Sequence, residues 1–185
     1  ILETAERAEQ FLADVFDAMD LKVNITTEEN KEEHTMDIDL SGDDMGVLIG
    51  KRGQTLDSLQ YLVSLVINKG EEEYIRVKVD TENYRQRRKD TLENLAKNIS
   101  FKVRRTGRPV TLEPMNPYER RIIHSALQND RYVETHSEGE EPFRKVVVSL
   151  KEGVQPRDNN RYRRYGNGSG KRNFNNKNRD NKRGG

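Results

Sequence analysis

The chain has 185 residues, of which 35% are charged and 32% are hydrophobic, a size that suits one medium domain or two small ones. It contains no cysteine, which excludes disulfides, thiolate metal sites and cysteine nucleophiles. The formal net charge is only +1, but residues 153–185 carry a net charge of +8 and residues 1–152 a net charge of −7. This asymmetry favours a polyanionic partner, either a nucleic acid or an anionic membrane surface.

The first eighty residues predict a small domain with the element order α-β-β-α-α-β. Apolar residues recur at helical spacing over residues 2–20, and residues 21–26 and 36–40 alternate with the period of a strand. The charged segment 28–33 is predicted to be the loop between these strands. A short helix at residues 45–49, a second helix that ends near Lys69 and a third strand at residues 74–79 complete the domain.

A second α/β domain is predicted for the segment that follows. It begins with a long, basic helix over residues 82–105, continues with extended chain at residues 109–112 and a helix that starts at Pro117, and ends with strands at residues 132–135 and 143–150. Beyond Gly153 no hydrophobic period is present, so burial cannot offset the entropy of ordering. The predicted organisation is therefore one domain at residues 1–80, another at residues 81–151 and a disordered Arg/Asn/Gly-rich tail at residues 152–185.

The segment Gly50-Lys51-Arg52-Gly53 is a GxxG loop between two predicted helices. Glycines permit a tight turn and a close approach to a ligand, and the following helix adds free N–H groups and a positive dipole end. The two cations cannot be buried there, so a phosphate backbone above the loop is the expected ligand. An ordinary glycine-flanked turn with solvated charges is the alternative. A P-loop is rejected, because the spacing is one residue short and Arg52 stands where Ser or Thr must reach Mg²⁺.

A second basic motif lies on the helix that starts at Pro117. Arg120 and His124 are four positions apart and share one helix face, and Arg121 flanks them. An arginine beside a histidine suits a phosphate, with the imidazole as a donor or a stacking surface. The alternative is a surface arginine and a partly buried structural histidine. No nucleophile–base pair or metal-ligand cluster accompanies the motif, so the sequence predicts no enzyme, no metal and no cofactor.

In tandem, the two motifs closely resemble the bacterial Jag (SpoIIIJ-associated) family. Residues 48–56, Leu-Ile-Gly-Lys-Arg-Gly-Gln-Thr-Leu, look like the loop of a type II KH domain, and residues 115–124, Met-Asn-Pro-Tyr-Glu-Arg-Arg-Ile-Ile-His, match the Arg-xxx-His signature of the R-three-H domain. The resemblance implies an RNA-binding regulator in the bacterial cytoplasm, linked to cell elongation, division and envelope homeostasis. It also implies a further N-terminal domain and a small single-KH-domain protein as partner; a homodimer is the alternative.

The sequence therefore predicts an α/β (α+β) protein that binds single-stranded RNA as a post-transcriptional regulator or RNA chaperone, without membrane insertion. DNA remains an alternative ligand, and a scaffold that dimerises through its KH fold, with RNA binding incidental, is the competing hypothesis. Val47 and Ile38 are predicted to be apolar walls of a groove for bases. The predicted RNA-binding residues are Gly50, Lys51, Arg52, Gly53, Arg120, Arg121 and His124.

Overall fold

The computed structural model describes residues 3–157, and most of the predicted basic tail lies outside these residues. The first part of the chain has the predicted order α-β-β-α-α-β. Its elements are α1 (Thr4–Ala18), β1 (Asn24–Asn30), β2 (Thr35–Ser41), α2 (Met45–Ile49), α3 (Gln54–Asn68) and β3 (Arg76–Thr81). The strands form a sheet of order β1-β2-β3, in which β1 and β2 are antiparallel and β2 and β3 are parallel.

One face of this sheet packs against the helices. The alternation of β2 turns Met36, Ile38 and Leu40 inward, where they join Leu12 of α1 and Leu56 of α3 in a continuous apolar core. The opposite face carries the polar side chains of the same strands. The parallel pairing of β2 and β3 needs a crossover, which α2 and α3 provide, and this crossover places the GxxG loop between the two helices.

The strand β1 is longer than predicted. Glu28 and Glu29 were expected in the loop, but they pair with Asp37 and Met36 of β2. Asn30 ends the strand, and its Oδ1 accepts hydrogen bonds from the backbone N–H groups of the turn that follows, at 3.0 and 3.1 Å. The predicted start of the loop is therefore wrong, because ladder hydrogen bonds outweigh the weak strand preference of glutamate.

The remaining elements form a second α/β arrangement, as predicted. They are α4 (Tyr84–Thr106), β4 (Val110–Thr111), α5 (Pro117–Leu127), β5 (Val133–Glu138) and β6 (Lys145–Leu150). The sheet has the order β4-β6-β5 and is antiparallel throughout. The buried apolar side chains of this second arrangement include Leu112, Ile123, Val133, Val146 and Val148. The mixed fold class and the two-module architecture are confirmed.

The described residues divide into two compact units within α4, one up to Leu95 and one from Ala96 onward. The helix is continuous across this point. The domain boundary at residues 80 and 81 stays a prediction. In residues 3–157 no helix is both long and apolar enough to cross a membrane.

Candidate nucleic-acid interface

The GxxG loop has a backbone that requires its two glycines. Gly50 has φ 70° and ψ −167°, a conformation that other residues avoid, and Gly53 is left-handed with φ 75°. A Cβ atom at Gly50 would lie 2.2 Å from the Thr55 Oγ1 atom, and one at Gly53 would lie 2.5 Å from the Tyr84 ring. Both glycines are therefore needed for their conformation and for the close packing beneath them.

Lys51–Gly53 form a short 3-10 turn, interrupted by the non-helical backbone of Arg52, that leads into α3. Lys51 is exposed, and Arg52 is half-buried and left-handed, with φ 54° and ψ 31°. The first N–H groups of the 15-residue α3 follow directly, so the loop joins a basic side chain to the positive end of a helix. This arrangement can hold an anion such as a phosphate of a nucleic-acid backbone.

The apolar walls predicted beside the loop differ in their exposure. Val47 of α2 is 55% exposed and can contact a base. Ile38 is only 2% exposed, because it lies on the face of β2 that packs against the helices. The prediction that the Ile38 side chain lines a groove is therefore wrong, since the inward face of β2 belongs to the core.

In the second unit, Arg120 turns inward. Its side chain is buried, Nη1 donates to the Met115 carbonyl oxygen at 2.6 Å, and Nη2 donates to a carboxylate oxygen of Glu141. These bonds tie α5 to the segment before it and to the loop between β5 and β6. The sequence correctly places Arg120 and His124 on one face of α5, but that face points toward the protein.

Two hydroxyl groups of β5 hold the ring of His124. Its Nδ1 lies 2.6 Å from the Thr135 Oγ1 atom, and its Nε2 lies 2.9 Å from the Ser137 Oγ atom. Burial, followed by the positive charge of Arg120, lowers the pKa of His124 below its ordinary value of 6.5. The ring is therefore mainly neutral at pH 7, with one nitrogen donating to a hydroxyl and the other accepting.

The outward face of α5 carries different residues. Arg121 is exposed, and Tyr118, three positions earlier on the same face, is 56% exposed. Asn116 fixes the start of this helix, because its Oδ1 accepts a hydrogen bond from the Glu119 N–H at 2.8 Å, and Pro117 occupies the first turn. The sequence prediction missed Tyr118, for which an aromatic residue beside a basic motif is the available signal.

The predicted site residues thus lie in two separate groups, one in each unit. Gly50, Lys51, Arg52 and Gly53 form the loop of the first unit. The helix α5 of the second unit carries Arg120, Arg121 and His124. Of these, Arg120 and His124 face β5 and the loop that follows it. In residues 3–157 no group of three histidine, aspartate or glutamate side chains is arranged to hold a metal ion.

Comparison with known families matches both units. A model of the KhpA/KhpB KH domain matches residues 5–79, and a model of the R-three-H domain matches residues 90–150. The predicted KH and R-three-H domains are confirmed. These domain types are not enzymatic, which agrees with the prediction of a non-enzymatic protein.

Curated relatives match a large part of the chain. The RNA-binding protein KhpB of Clostridium symbiosum is 69% identical over 146 residues, which cover 79% of this chain and 66% of that protein. The RNA-binding protein KhpB of Bacillus subtilis strain 168 is 37% identical over 152 residues, which cover 81% of this chain and 72% of that protein. The RNA-binding protein KhpB of Lactiplantibacillus plantarum is 42% identical over 106 residues, covering 57% of this chain and 33% of that protein. The chain thus spans about two thirds of the first two relatives.

Proposed function

The chain belongs to the KhpB family, also known as the Jag family, of proteins with a KH and an R-three-H domain, and from this premise we propose that it binds single-stranded RNA. The observation that carries the proposal is the GxxG loop, in which two glycines with positive φ present an exposed lysine beside the N-terminus of α3. KH domains bind the nucleic-acid backbone with this loop. The relatives named RNA-binding protein KhpB support the same conclusion.

In the first unit, we assign the RNA backbone to the loop itself. Gly50 and Gly53 allow the close approach of a sugar-phosphate, and Lys51 and Arg52 contact phosphates. Val47, which is exposed on α2, is a wall against which a base packs. The ligand is a single strand, because bases must be splayed out of a duplex before such a surface can reach them.

In the second unit, direct phosphate contact is assigned first to Arg121, which is exposed on α5 beside Tyr118. The tyrosine ring offers a stacking surface for a base, and stacking of this kind tolerates any base. Direct contact of RNA with Arg120 and His124 stays a prediction. Such contact by Arg120 requires its guanidinium to leave Met115 and Glu141, to which it is bonded in the structure.

The finer function rests on the resemblance to the family. We propose a post-transcriptional regulator or RNA chaperone that acts in the bacterial cytoplasm and is linked to cell elongation, division and envelope homeostasis. The basic tail, whose residues 153–185 carry a net charge of +8, would raise affinity and association rate with little selectivity.

Fluorescence anisotropy with a labelled, mixed-sequence single-stranded RNA tests the proposal. The full chain is titrated at low and near-physiological salt, together with a Lys51→Asp/Arg52→Asp variant and a chain that ends at Arg157. We expect salt-sensitive binding that the charge reversal weakens and that the shortened chain retains. If the shortened chain does not bind, the tail alone supplies RNA affinity and the assignment to the KH loop is wrong.

A second candidate function is a scaffold that associates through its KH fold. The specific observation is an apolar face on α3, where Tyr61, Leu62 and Leu65 are 64%, 44% and 52% exposed. Apolar side chains clustered on one helix face commonly mark a protein interface. The proposed occupant is another KH domain, either of a second copy or of a small single-KH-domain protein.

Sedimentation velocity of the full chain tests this candidate for a second copy. We expect self-association that a Leu62→Asp/Leu65→Asp variant abolishes, while a Gln54→Asp/Ser58→Asp variant of exposed polar residues on the same helix leaves it intact. A chain that stays monomeric at all concentrations contradicts the second copy as the occupant. RNA binding and association also differ in salt dependence, which is steep only for phosphate contacts.

A further inference from the structure

The segment between the two matched domains, residues 80–89, belongs to the first compact unit. The KH match ends at residue 79 and the R-three-H match begins at residue 90. Thr81 is fully buried and donates to the Leu40 carbonyl oxygen at 2.6 Å, and the Asp80 carboxylate accepts from the N–H groups of Thr81 and Arg85 at 2.8 and 3.3 Å. These bonds fix the path of the chain from β3 into α4, so this segment is an ordered turn.

The first residue of α4 lies directly against the GxxG loop. A Cβ atom added to Gly53 would lie 2.5 Å from the Cε1 atom of Tyr84 and 3.2 Å from its Cζ and hydroxyl oxygen. The ring therefore touches the glycine backbone and leaves no space between them. A flat ring at this position supports the second glycine of the loop from below, in the left-handed conformation that the loop requires.

The next residue ties the same helix end to α3 and β3. The Arg85 guanidinium donates through Nε to the Val79 carbonyl oxygen at 2.9 Å, through Nη1 to the Asp57 Oδ1 atom at 2.8 Å and through Nη2 to the Gln60 Oε1 atom at 2.9 Å. Asp57 lies in the first turn of α3, whose N-terminal N–H groups adjoin the loop. The planar guanidinium reaches these three acceptors from three separate nitrogen atoms, whereas a lysine would have to reach all of them from a single nitrogen.

We propose that Tyr84 and Arg85 are positioning residues for RNA binding by the GxxG loop, so that the RNA-binding part of the first unit extends beyond β3 into α4. This inference rests on the proposed function. The physical reason is preorganisation: a loop that is already held in one conformation loses little conformational entropy when it binds a phosphate. The Tyr84 ring fixes the position of the Gly53 backbone, and Arg85 fixes the N-terminal turn of α3 next to it.

Removal of the ring provides the first test. Tyr84→Ala and Tyr84→Phe variants of the full chain are titrated with the labelled single-stranded RNA, and the salt dependence of affinity is recorded. Because one charge-assisted contact is lost when the loop is misplaced, Tyr84→Ala is expected to weaken binding by about tenfold and to flatten the salt dependence. Tyr84→Phe keeps the ring and is expected to bind as the wild type does. The amide resonances of residues 51–53 in the free protein should shift in Tyr84→Ala only.

A charge-conserving variant tests the arginine and keeps the inference testable if Tyr84→Ala does not fold. Arg85→Lys retains the positive charge but loses the planar guanidinium, so it is expected to weaken RNA binding severalfold. Arg105→Lys is the matched control, because Arg105 is exposed on the same helix, 20 positions further along the chain, and undergoes the same chemical change. Equal affinities of Arg85→Lys and Arg105→Lys would contradict a positioning role for Arg85.

The outcomes separate this inference from the proposed function. If Lys51→Asp/Arg52→Asp weakens binding but Tyr84→Ala and Arg85→Lys bind as the wild type does, the loop binds RNA without its support and the inference is wrong. If Tyr84→Phe is as weak as Tyr84→Ala, the hydroxyl and not the ring is required, which also overturns it. If the wild-type chain does not bind RNA, the proposed function fails and the inference fails with it.

Discussion

The two basic motifs of this protein place similar side chains in opposite environments. In the GxxG loop, a tight turn built on two glycines leaves Lys51 exposed above the N-terminus of α3. On α5, Arg120 is buried and bonded to Met115 and Glu141. The spacing of a motif thus predicts which side chains share a face, but not whether that face points to solvent.

The difference has a simple physical origin. The loop has no volume beneath it for a cation, because the Tyr84 ring fills the space under Gly53. The inner face of α5 instead meets a loop that supplies a carboxylate, 21 positions along the chain from Arg120. A distant partner of this kind stabilises a buried guanidinium, whose desolvation would otherwise be costly.

The largest effect is expected on α5, where two neighbouring arginines should differ: removal of Arg120 should lower stability, and removal of Arg121 should weaken RNA binding. Arg120→Ala should lower the free energy of unfolding by about 2 kcal/mol, because it leaves the Met115 carbonyl and Glu141 without their donor. Arg121→Ala, its matched neighbour on the exposed face, should change stability by less than about 0.5 kcal/mol and weaken RNA binding instead. Urea unfolding and RNA titration of both variants measure the two effects. An Arg120→Ala chain that keeps its stability but loses RNA affinity would restore the direct contact predicted from sequence.

Charge reversal in the loop should have the next largest effect. Lys51→Asp/Arg52→Asp is expected to weaken RNA binding by at least about tenfold, because phosphate attraction becomes repulsion. Circular dichroism should be unchanged. Lys22→Asp/Lys31→Asp is the matched control, since both lysines are exposed in the same unit and the net charge changes equally. Equal losses in the two variants would mean that only net charge matters.

A smaller effect is expected from the carboxylate that anchors β5. Asp130 accepts hydrogen bonds from the N–H groups of Tyr132 and Val133 at 2.8 and 3.1 Å and from the Ser100 hydroxyl at 2.8 Å. Burial alone would raise the pKa of Asp130, but these hydrogen bonds outweigh it and lower the pKa below 3.8. Asp130→Asn should cost about 1 kcal/mol of stability at pH 7 and leave the RNA affinity of the folded chain unchanged.

The pH dependence of stability gives a second test of the role of the Asp130 carboxylate. A lowered pKa in the folded state means that its contribution is present above pH 3.8 and is lost as the pH falls through the folded-state value. The stability difference between wild type and Asp130→Asn should therefore shrink in acid. A difference that is constant with pH would contradict the role of the charged carboxylate.

The smallest expected effect concerns the neutral histidine. Because the pKa of His124 is lowered below 6.5, the unfolded chain binds the proton more readily, and stability should fall as the pH drops below 6.5. Arg120, His136 and Arg144 oppose the charged ring in the folded state. His124→Gln should abolish this fall in stability when the free energy of unfolding is measured between pH 7 and pH 5. An identical pH profile for both chains would indicate that the ring is not held neutral.

The sequence predicted the order of elements and the loop because these depend on local signals. Period-two and helical patterns, the glycines of the loop and the start of α5 at Pro117 are all recognised from neighbouring residues. The errors involve partners distant in the chain. Glu28 belongs to β1 because it pairs with Asp37, and the inward direction of Ile38 follows from the helices that cover the sheet. The burial of Arg120 likewise depends on a carboxylate that no local pattern reveals.

The left-handed conformation of Arg52 implies a compromise between folding and function. A residue with a Cβ atom costs about 1 kcal/mol more than glycine in this region of backbone space, so a third glycine at this position would suit the turn better. The loop is thus less stable than its own geometry permits. Selection for thermal stability alone would therefore favour glycine at this position, and the charge that the loop presents would be lost.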